Sequence, residues 1–161
     1  MPLIADKAIR RTAKGLGALA GFLVLASLVP SPFGGVRRTP HGGALLVGTP
    51  VPPATVTLLR RACTNCHSNE TAWPWYSQVA PASWLVERDV TEARKHMNFS
   101  QWPAYGADGQ RQLLAAAEAH VNNGMMPPAR YLLLHPEALL SQAEKDQLGG
   151  WFRQKSKEKT K

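Results

Sequence analysis

The chain has 161 residues, which is enough for one compact domain with tails and too few for two full hydrophobic cores. Its formal net charge of +8 and its sequence pI of about 9.9 favour association with anionic partners or with an anionic membrane surface. The sequence lacks a recognition-helix motif, a Gly-rich phosphate loop and an interleaved run of basic and stacking aromatic residues, so nucleic acid is excluded as the expected partner.

Residues 1–30 are predicted to form a signal peptide or a membrane anchor. Four basic residues come first, namely Lys7, Arg10, Arg11 and Lys14. An uncharged stretch rich in Leu, Ala and Val follows over residues 15–29, and it is shorter than the roughly 20 residues of a comfortable membrane span. Cleavage and retention both remain open. Because the basic end of such a segment stays inside the cell, we expect the rest of the chain to be periplasmic in a bacterium, either membrane-anchored or secreted.

Composition divides the rest of the chain into three parts. Residues 31–53 are dense in Pro and Gly and have no lasting periodicity, which predicts a flexible linker. Residues 54–153 are predicted to form the folded domain. Residues 154–161 are rich in lysine and are predicted to form a basic, solvated tail.

The first helix of the domain is predicted to begin at about Ala54. Val56, Leu59, Cys63 and Cys66 follow one another at helical spacings. One helix would therefore carry both thiols on its apolar face, with His67 directly at its end.

A second helix is predicted from about Pro81 to Met97, because proline is tolerated in the first turn. Its predicted inward stripe consists of Val86, Val90, Ala93 and Met97. Its predicted outer, charged side consists of Glu87, Arg88, Glu92 and Lys95. This division follows the helical period of 3.6 residues.

Two more helices complete the domain. The third is predicted to open with Asp108 as its N-cap and to end before a left-handed Gly124. Its predicted inward residues are Leu113, Leu114, Ala117 and Val121. The fourth is predicted to begin at Ser141, with Glu144 completing a capping box. Its predicted buried residues are Leu148, Trp151 and Phe152. Since no alternating strand pattern appears, the predicted class is all-α, and so small a core leaves room for a large apolar cofactor.

The pentapeptide Cys63-Thr64-Asn65-Cys66-His67 has the pattern of covalent haem attachment. Two thiols add across the haem vinyl groups, and the adjacent imidazole ligates the iron. A redox dithiol would require a βαβ context and a thiol of low pKa at a helix N-terminus. A structural zinc site would require four ligands, whereas the remaining histidines lie singly and far apart. We therefore predict one covalently attached haem c, held by Cys63, Cys66 and the proximal ligand His67.

The distal iron ligand is predicted to be Met126. Gly124 ends the preceding helix and Pro127 restricts the backbone of Met126, so the thioether lies on a stiff loop and not in a periodic core stripe. Met125 is the neighbouring alternative. His96 on the second helix and His120 on the third are the histidine alternatives.

Several longer strings of the sequence extend this interpretation. They are Cys-Thr-Asn-Cys-His-Ser-Asn-Glu-Thr-Ala-Trp-Pro-Trp-Tyr at 63–76, Ala-Pro-Ala-Ser-Trp-Leu-Val at 80–86, His-Met-Asn-Phe-Ser-Gln-Trp at 96–102, Met-Pro-Pro at 126–128 and Leu-Leu-Leu-His-Pro at 132–136. In these strings the chain resembles the small bacterial haem-binding domain family related to c-type cytochromes. The resemblance implies a cytochrome c-like helical domain with covalent haem at Cys63 and Cys66, His67 as proximal ligand and Met126 as distal ligand. It implies no particular pathway.

We expect an electron carrier and not an enzyme. An iron with both axial positions occupied, by His67 and Met126, favours one-electron transfer in the periplasm. A methionine ligand also raises the reduction potential of the iron. An acidic redox partner protein would be steered to the basic surface, and the membrane becomes a second partner if the N-terminal segment is retained. The alternatives are a haem-dependent peroxidase, in which a residue such as His96 handles protons, and a haem-based ligand sensor.

Overall fold

The computed structural model describes residues 2–38 and 42–158. Within these ranges the chain is helical and has no strand, which confirms the predicted all-α class. The α-helices of these residues are α1 (Pro2–Leu28), α2 (Pro53–Ala62), α3 (Thr64–His67), α4 (Ala82–His96), α5 (Gly106–Asn122), α6 (Ala129–Leu132) and α7 (Gln142–Lys157). Short 3₁₀ helices cover Gly34–Arg38, Trp75–Gln78, Phe99–Tyr105 and Pro136–Ala138.

The chain forms two compact units. One consists of Met1–Arg38 and Trp73–Thr91, and the other consists of Thr39–Ala72 and Glu92–Lys161. All the predicted site residues belong to the second unit: Cys63, Cys66, His67, His96 and Met126. The domain boundaries predicted from composition stay predictions.

Most large apolar side chains of α1 from Ile9 onward are exposed. Its 20-residue stretch Ile9–Leu28 is long and apolar enough to cross a membrane, and none of it is buried. At 1.5 Å per residue the stretch spans about 30 Å, the thickness of a bilayer hydrocarbon core. It is longer than the uncharged stretch 15–29 at its N-terminal end because it also includes residues 9–14, of which Arg10, Arg11 and Lys14 are basic. The helix therefore fits a signal sequence or a membrane anchor.

The first unit overturns one prediction about α4. Glu87, expected on the outer face, is only 4% exposed. Arg37 donates from Nε to the Glu87 carboxylate and from its terminal nitrogen to the Ser77 carbonyl. The Arg37 guanidinium also lies 4.4 Å from the centroid of the Trp73 ring. A cation from a distant part of the sequence therefore compensates the buried carboxylate, which helical periodicity alone does not reveal.

The second unit has one hydrophobic core. Its buried residues include Leu58 and Leu59 of α2, Phe99 and Trp102 of the following 3₁₀ helix, Leu114 and Val121 of α5, and Leu148, Trp151 and Phe152 of α7. The predictions for α7 are confirmed, and Leu113 and Ala117 of α5 pack partly buried against this core. Leu46, from the segment predicted to be a linker, is also buried in it.

The ends of α5 follow the sequence signals only in part. Gly124 has a φ of +68°, the left-handed conformation predicted after the helix. The prediction of Asp108 as N-cap is wrong, because α5 begins at Gly106 and its N-cap is Tyr105. The 3₁₀ helix Phe99–Tyr105 runs directly into α5, so Asp108 falls within the first turn. At that position the negative charge of the Asp108 carboxylate still interacts favourably with the positive end of the helix dipole.

The capping box at the start of α7 is present. The Ser141 side chain accepts the Glu144 backbone N–H, and the Glu144 carboxylate accepts the Ser141 N–H at 2.8 Å. This backbone N–H and the Arg61 guanidinium lower the pKa of Glu144 below its usual range. The prediction from the Ser-x-x-Glu spacing is confirmed.

Removing this cap is expected to destabilise the protein. Ser141→Ala leaves a backbone N–H of the first turn without its acceptor, and we expect the free energy of unfolding to fall by about 1 kcal/mol in urea titrations. Ser156→Ala is the matched control, because the Ser156 hydroxyl donates to the Arg153 carbonyl at the other end of the same helix. We expect the control to change stability by less than about 0.5 kcal/mol. Equal effects of the two substitutions would contradict the role of the cap.

Candidate haem site

The pentapeptide at residues 63–67, which the sequence predicts to attach haem, lies at a break between two helices. α2 ends at Ala62, and the Cys63 N–H donates to the Leu59 carbonyl at 2.8 Å. The Cys63 carbonyl then accepts the N–H groups of Cys66, at 3.2 Å, and His67, at 2.9 Å. The two thiols and the imidazole therefore belong to one tight turn over residues 63–67, named the attachment turn for its predicted role.

The prediction of one continuous helix through both thiols is wrong. Cys63 has φ −125° and ψ −42°, which interrupts the helix. The Thr64 hydroxyl donates to the Arg60 carbonyl at 3.0 Å, the acceptor that the Thr64 backbone N–H would use in a continuous helix. A hydroxyl that competes for a backbone acceptor in this way favours a local break.

The Cys63 thiol is not activated as a nucleophile. Burial, and secondarily the neighbouring Cys66, raise its pKa to about 12. It is therefore protonated at neutral pH, whereas a reactive redox dithiol depends on a lowered pKa. The environment of Cys63 does not support thioredoxin-like chemistry.

His67 is held as a neutral imidazole. Burial lowers its pKa below the usual value; the backbone carbonyls of Met97 and Ala93 act in the opposite sense, and the nearby His96 and His120 lower it further. Its Nδ1 lies 3.0 Å from the Met97 carbonyl oxygen. A carbonyl only accepts, so Nδ1 carries the proton and the Nε2 lone pair is left for a metal.

The segment after His67 is fixed by polar side chains that the sequence analysis did not single out. The buried Ser68 hydroxyl donates to the Thr64 carbonyl at 2.7 Å. Arg94 donates to the Ser68 carbonyl at 2.9 Å and to the Thr71 hydroxyl at 3.0 Å. The amide of Asn98 donates to the side-chain oxygen of Asn69 at 2.9 Å. The contacts of Arg94 and Asn98 join residues at least 23 positions apart in sequence, so no local motif predicts them.

Asn65, inside the pentapeptide, uses both ends of its side-chain amide. Its oxygen accepts the Ala72 N–H at 3.1 Å, and its nitrogen donates to the Tyr131 hydroxyl at 3.1 Å. The Tyr131 ring stacks on His135, with centroids 4.2 Å apart and an interplanar angle of 16°. Asn65 therefore links the attachment turn to α6.

The methionine loop is anchored on α5. The backbone N–H groups of Met125 and Met126 donate to the His120 carbonyl at 2.9 and 3.2 Å. Met126 is 36% exposed and Met125 is 52% exposed, and the Met126–Pro127 peptide bond is cis. Both thioethers are thus accessible on a loop whose backbone is held in place.

The two candidate histidines lie within electrostatic range of His67, since each lowers its pKa. His96 is exposed at the end of α4. The Nδ1 of His120 lies 2.7 Å from the Ala116 carbonyl oxygen. The structure therefore brings both near the attachment turn.

Comparison with known families decides the class of ligand. A family model described as a haem-binding domain matches residues 37–154. The chain belongs to this haem-binding domain family. It matches no curated protein and no solved structure. The resemblance inferred from the sequence is therefore confirmed at the level of haem binding.

The residues of the second unit fit a haem. Within residues 2–38 and 42–158, no three His, Cys, Asp or Glu side chains converge on a common point where a metal ion could bind directly. A haem iron requires fewer protein ligands, because the macrocycle holds the iron and the protein adds only the axial ligands. The buried Trp151 Nε1 and Arg61 Nε have no acceptor among the described residues, and propionate oxygens are acceptors of the required kind. Exposed apolar side chains, including Met126 and Leu133, offer a surface for an apolar macrocycle.

Proposed function

We propose that this protein carries one haem c, attached through Cys63 and Cys66, and transfers single electrons outside the bacterial cytoplasm. The observation that carries the proposal is that His67, next to the two thiols in sequence, is a neutral imidazole with its proton on Nδ1. Its Nδ1–H is donated to the Met97 carbonyl, and burial lowers its pKa, so Nε2 is available as a ligand at neutral pH.

Each residue of the attachment turn has a separate task. The thiols of Cys63 and Cys66 form thioether bonds to the haem vinyl groups and prevent loss of the cofactor. His67 supplies the proximal ligand, and the Met97 carbonyl holds the orientation of its ring. When bound, haem supplies the one-electron redox chemistry, while the protein sets ligands, access and local polarity.

Met126 is the proposed distal ligand. Its accessible thioether and the bond from its N–H to the His120 carbonyl support this role. A thioether at this position excludes water and small ligands from the iron and raises the reduction potential. Both effects suit an electron carrier.

The proposed place of action is the periplasm. The exposed apolar helix α1 supports export, with the folded part anchored or released. The proposed redox partner is an acidic protein, since the chain carries a net charge of +8. Steering of this kind weakens as ionic strength rises.

Spectroscopy of the full-length, haem-matured protein tests the proposal. We expect a low-spin spectrum in both oxidation states, a weak near-infrared sulfur–iron band in the ferric state, and a reversible titration with a slope of about 59 mV per tenfold change, as one electron requires. The rival peroxidase predicts a high-spin ferric iron. A high-spin ferric state that also turns over peroxide would refute the electron-carrier proposal.

A further inference from the structure

The hydrogen bond between Asn65 and Tyr131 joins the two parts of the proposed haem site. Asn65 lies between the two attachment cysteines. Its amide nitrogen donates to the Tyr131 hydroxyl at 3.1 Å. The other end of the amide accepts the Ala72 N–H, and the Asn65 carbonyl accepts the Thr71 hydroxyl at 2.7 Å. The donor side of the bond is therefore rigidly held by the attachment turn.

Tyr131 is tied in turn to the methionine loop. Its backbone N–H donates to the Pro128 carbonyl at 2.9 Å. This bond forms the first turn of α6, which begins directly after Met126, Pro127 and the N-cap Pro128. Pro127 is buried. The loop is thus held at both ends, at the His120 carbonyl on one side and through Tyr131 on the other.

We propose that the Asn65–Tyr131 hydrogen bond is a clamp that holds the Met126 thioether at the haem iron. This inference rests on the proposed function, in which Met126 is the distal ligand. Tyr131 and Asn65 are positioning residues, since they act on the iron only through the loop. The clamp keeps the distal position closed to small ligands, which distinguishes an electron carrier from a peroxidase or a ligand sensor.

The size of the effect follows from a population argument. An external ligand binds the ferric iron only when Met126 has left it, so its apparent affinity is proportional to the fraction of open molecules. The loss of one neutral hydrogen bond that holds the closed state raises that fraction by about fivefold. The apparent Kd for imidazole is expected to fall by the same factor.

Imidazole titration of the ferric, full-length, haem-matured protein tests the clamp. Tyr131→Phe keeps the ring that stacks on His135 and removes only the hydroxyl. We expect imidazole to bind about fivefold more tightly to this variant and the sulfur–iron band to be lost at a lower imidazole concentration. Asn65→Ala should have a similar effect. Asn65→Ala also removes the acceptor of the Ala72 N–H, so the double variant should equal Asn65→Ala, in which the bond to Tyr131 is already lost.

Two control variants separate the clamp from general loss of stability. Asn65→Asp retains an acceptor for the Ala72 N–H, and its carboxylate can accept a hydrogen bond from the Tyr131 hydroxyl, so we expect imidazole affinity near that of the wild type. Thr49→Val removes the hydroxyl that accepts the Nε1–H of the buried Trp102 at 2.8 Å, and neither residue belongs to the attachment turn or to the methionine loop. It should lower the unfolding free energy without tightening imidazole binding.

The outcomes discriminate between the two proposals. A wild-type sulfur–iron band together with unchanged imidazole binding in Tyr131→Phe would overturn the clamp alone. A wild-type protein without that band would overturn Met126 as distal ligand, and the clamp with it. Tighter binding in Thr49→Val as large as in Tyr131→Phe would also overturn the clamp, because the effect would then follow from lower stability.

Discussion

Replacing both Cys63 and Cys66 by alanine is expected to convert the haem from a covalently retained group to an extractable one. Thioether bonds survive denaturation, so we expect essentially all haem of the wild type to stay with the polypeptide in acidified organic solvent and on denaturing gels. In the double variant His67 remains as a ligand, but coordination by an imidazole is lost once the nitrogen is protonated in acid. Essentially all haem should then enter the solvent phase.

The single variants are the controls for this result. Cys63→Ala and Cys66→Ala each leave one thiol beside His67, and each should retain haem through one thioether bond. Their absorption spectra should report one remaining vinyl group, whereas the wild type should report none. Haem that stays bound to the double variant after acid extraction would contradict attachment through these two residues.

Met126→Ala is expected to convert the iron from low spin to high spin. Alanine cannot ligate, so the distal position is left to water or remains vacant, and the sulfur–iron band should disappear completely. Affinity for small ligands should rise because no protein group competes for the iron. The reduction potential should fall, since a methionine ligand favours the reduced state.

Met125→Ala is the matched control. Met125 precedes Met126 on the same loop, its N–H donates to the same His120 carbonyl, and its side chain is also exposed. It should leave the low-spin spectrum unchanged. The reverse pattern would reassign the ligand to Met125. Loss of the low-spin state in His120→Ala or His96→Ala, with Met126→Ala unaffected, would reassign it to that histidine.

Some features of the fold follow from neighbouring residues and were predicted correctly. Ser141 and Glu144 form a capping box because both partners lie within one helical turn. Gly124 takes a positive φ where α5 ends, because glycine carries no side chain to oppose it. These signals depend only on local backbone geometry.

Other features were predicted wrongly where a contact from elsewhere in the chain, or a local hydrogen bond, overrides the periodic pattern. Glu87 is buried because Arg37 reaches it across fifty positions of sequence. α2 stops at Ala62, although apolar spacing continues to Cys66, because the Thr64 hydroxyl takes the carbonyl of Arg60. Hydrophobic periodicity reports which side chains prefer burial and carries no information on such hydrogen bonds.

The sequence by itself predicted haem binding, which the family match confirms, and it predicted the attachment and ligation chemistry of residues 63–67. Two cysteines, an adjacent histidine and a proline-stiffened methionine are an arrangement of side-chain types, and their meaning does not depend on the rest of the fold. The match to the haem-binding family confirms haem as the cofactor but not its covalent attachment. Covalent attachment and Met126 ligation stay predictions for the experiments above.

Only the tertiary structure decided how these groups are oriented. The Nδ1 of His67 faces the Met97 carbonyl, thirty residues away, and that contact selects the tautomer with a free Nε2. Asn65 reaches Tyr131 over a still longer separation. The physical reason is that a hydrogen bond depends on distance and direction between atoms, which residue types do not specify and which the packing of distant segments establishes.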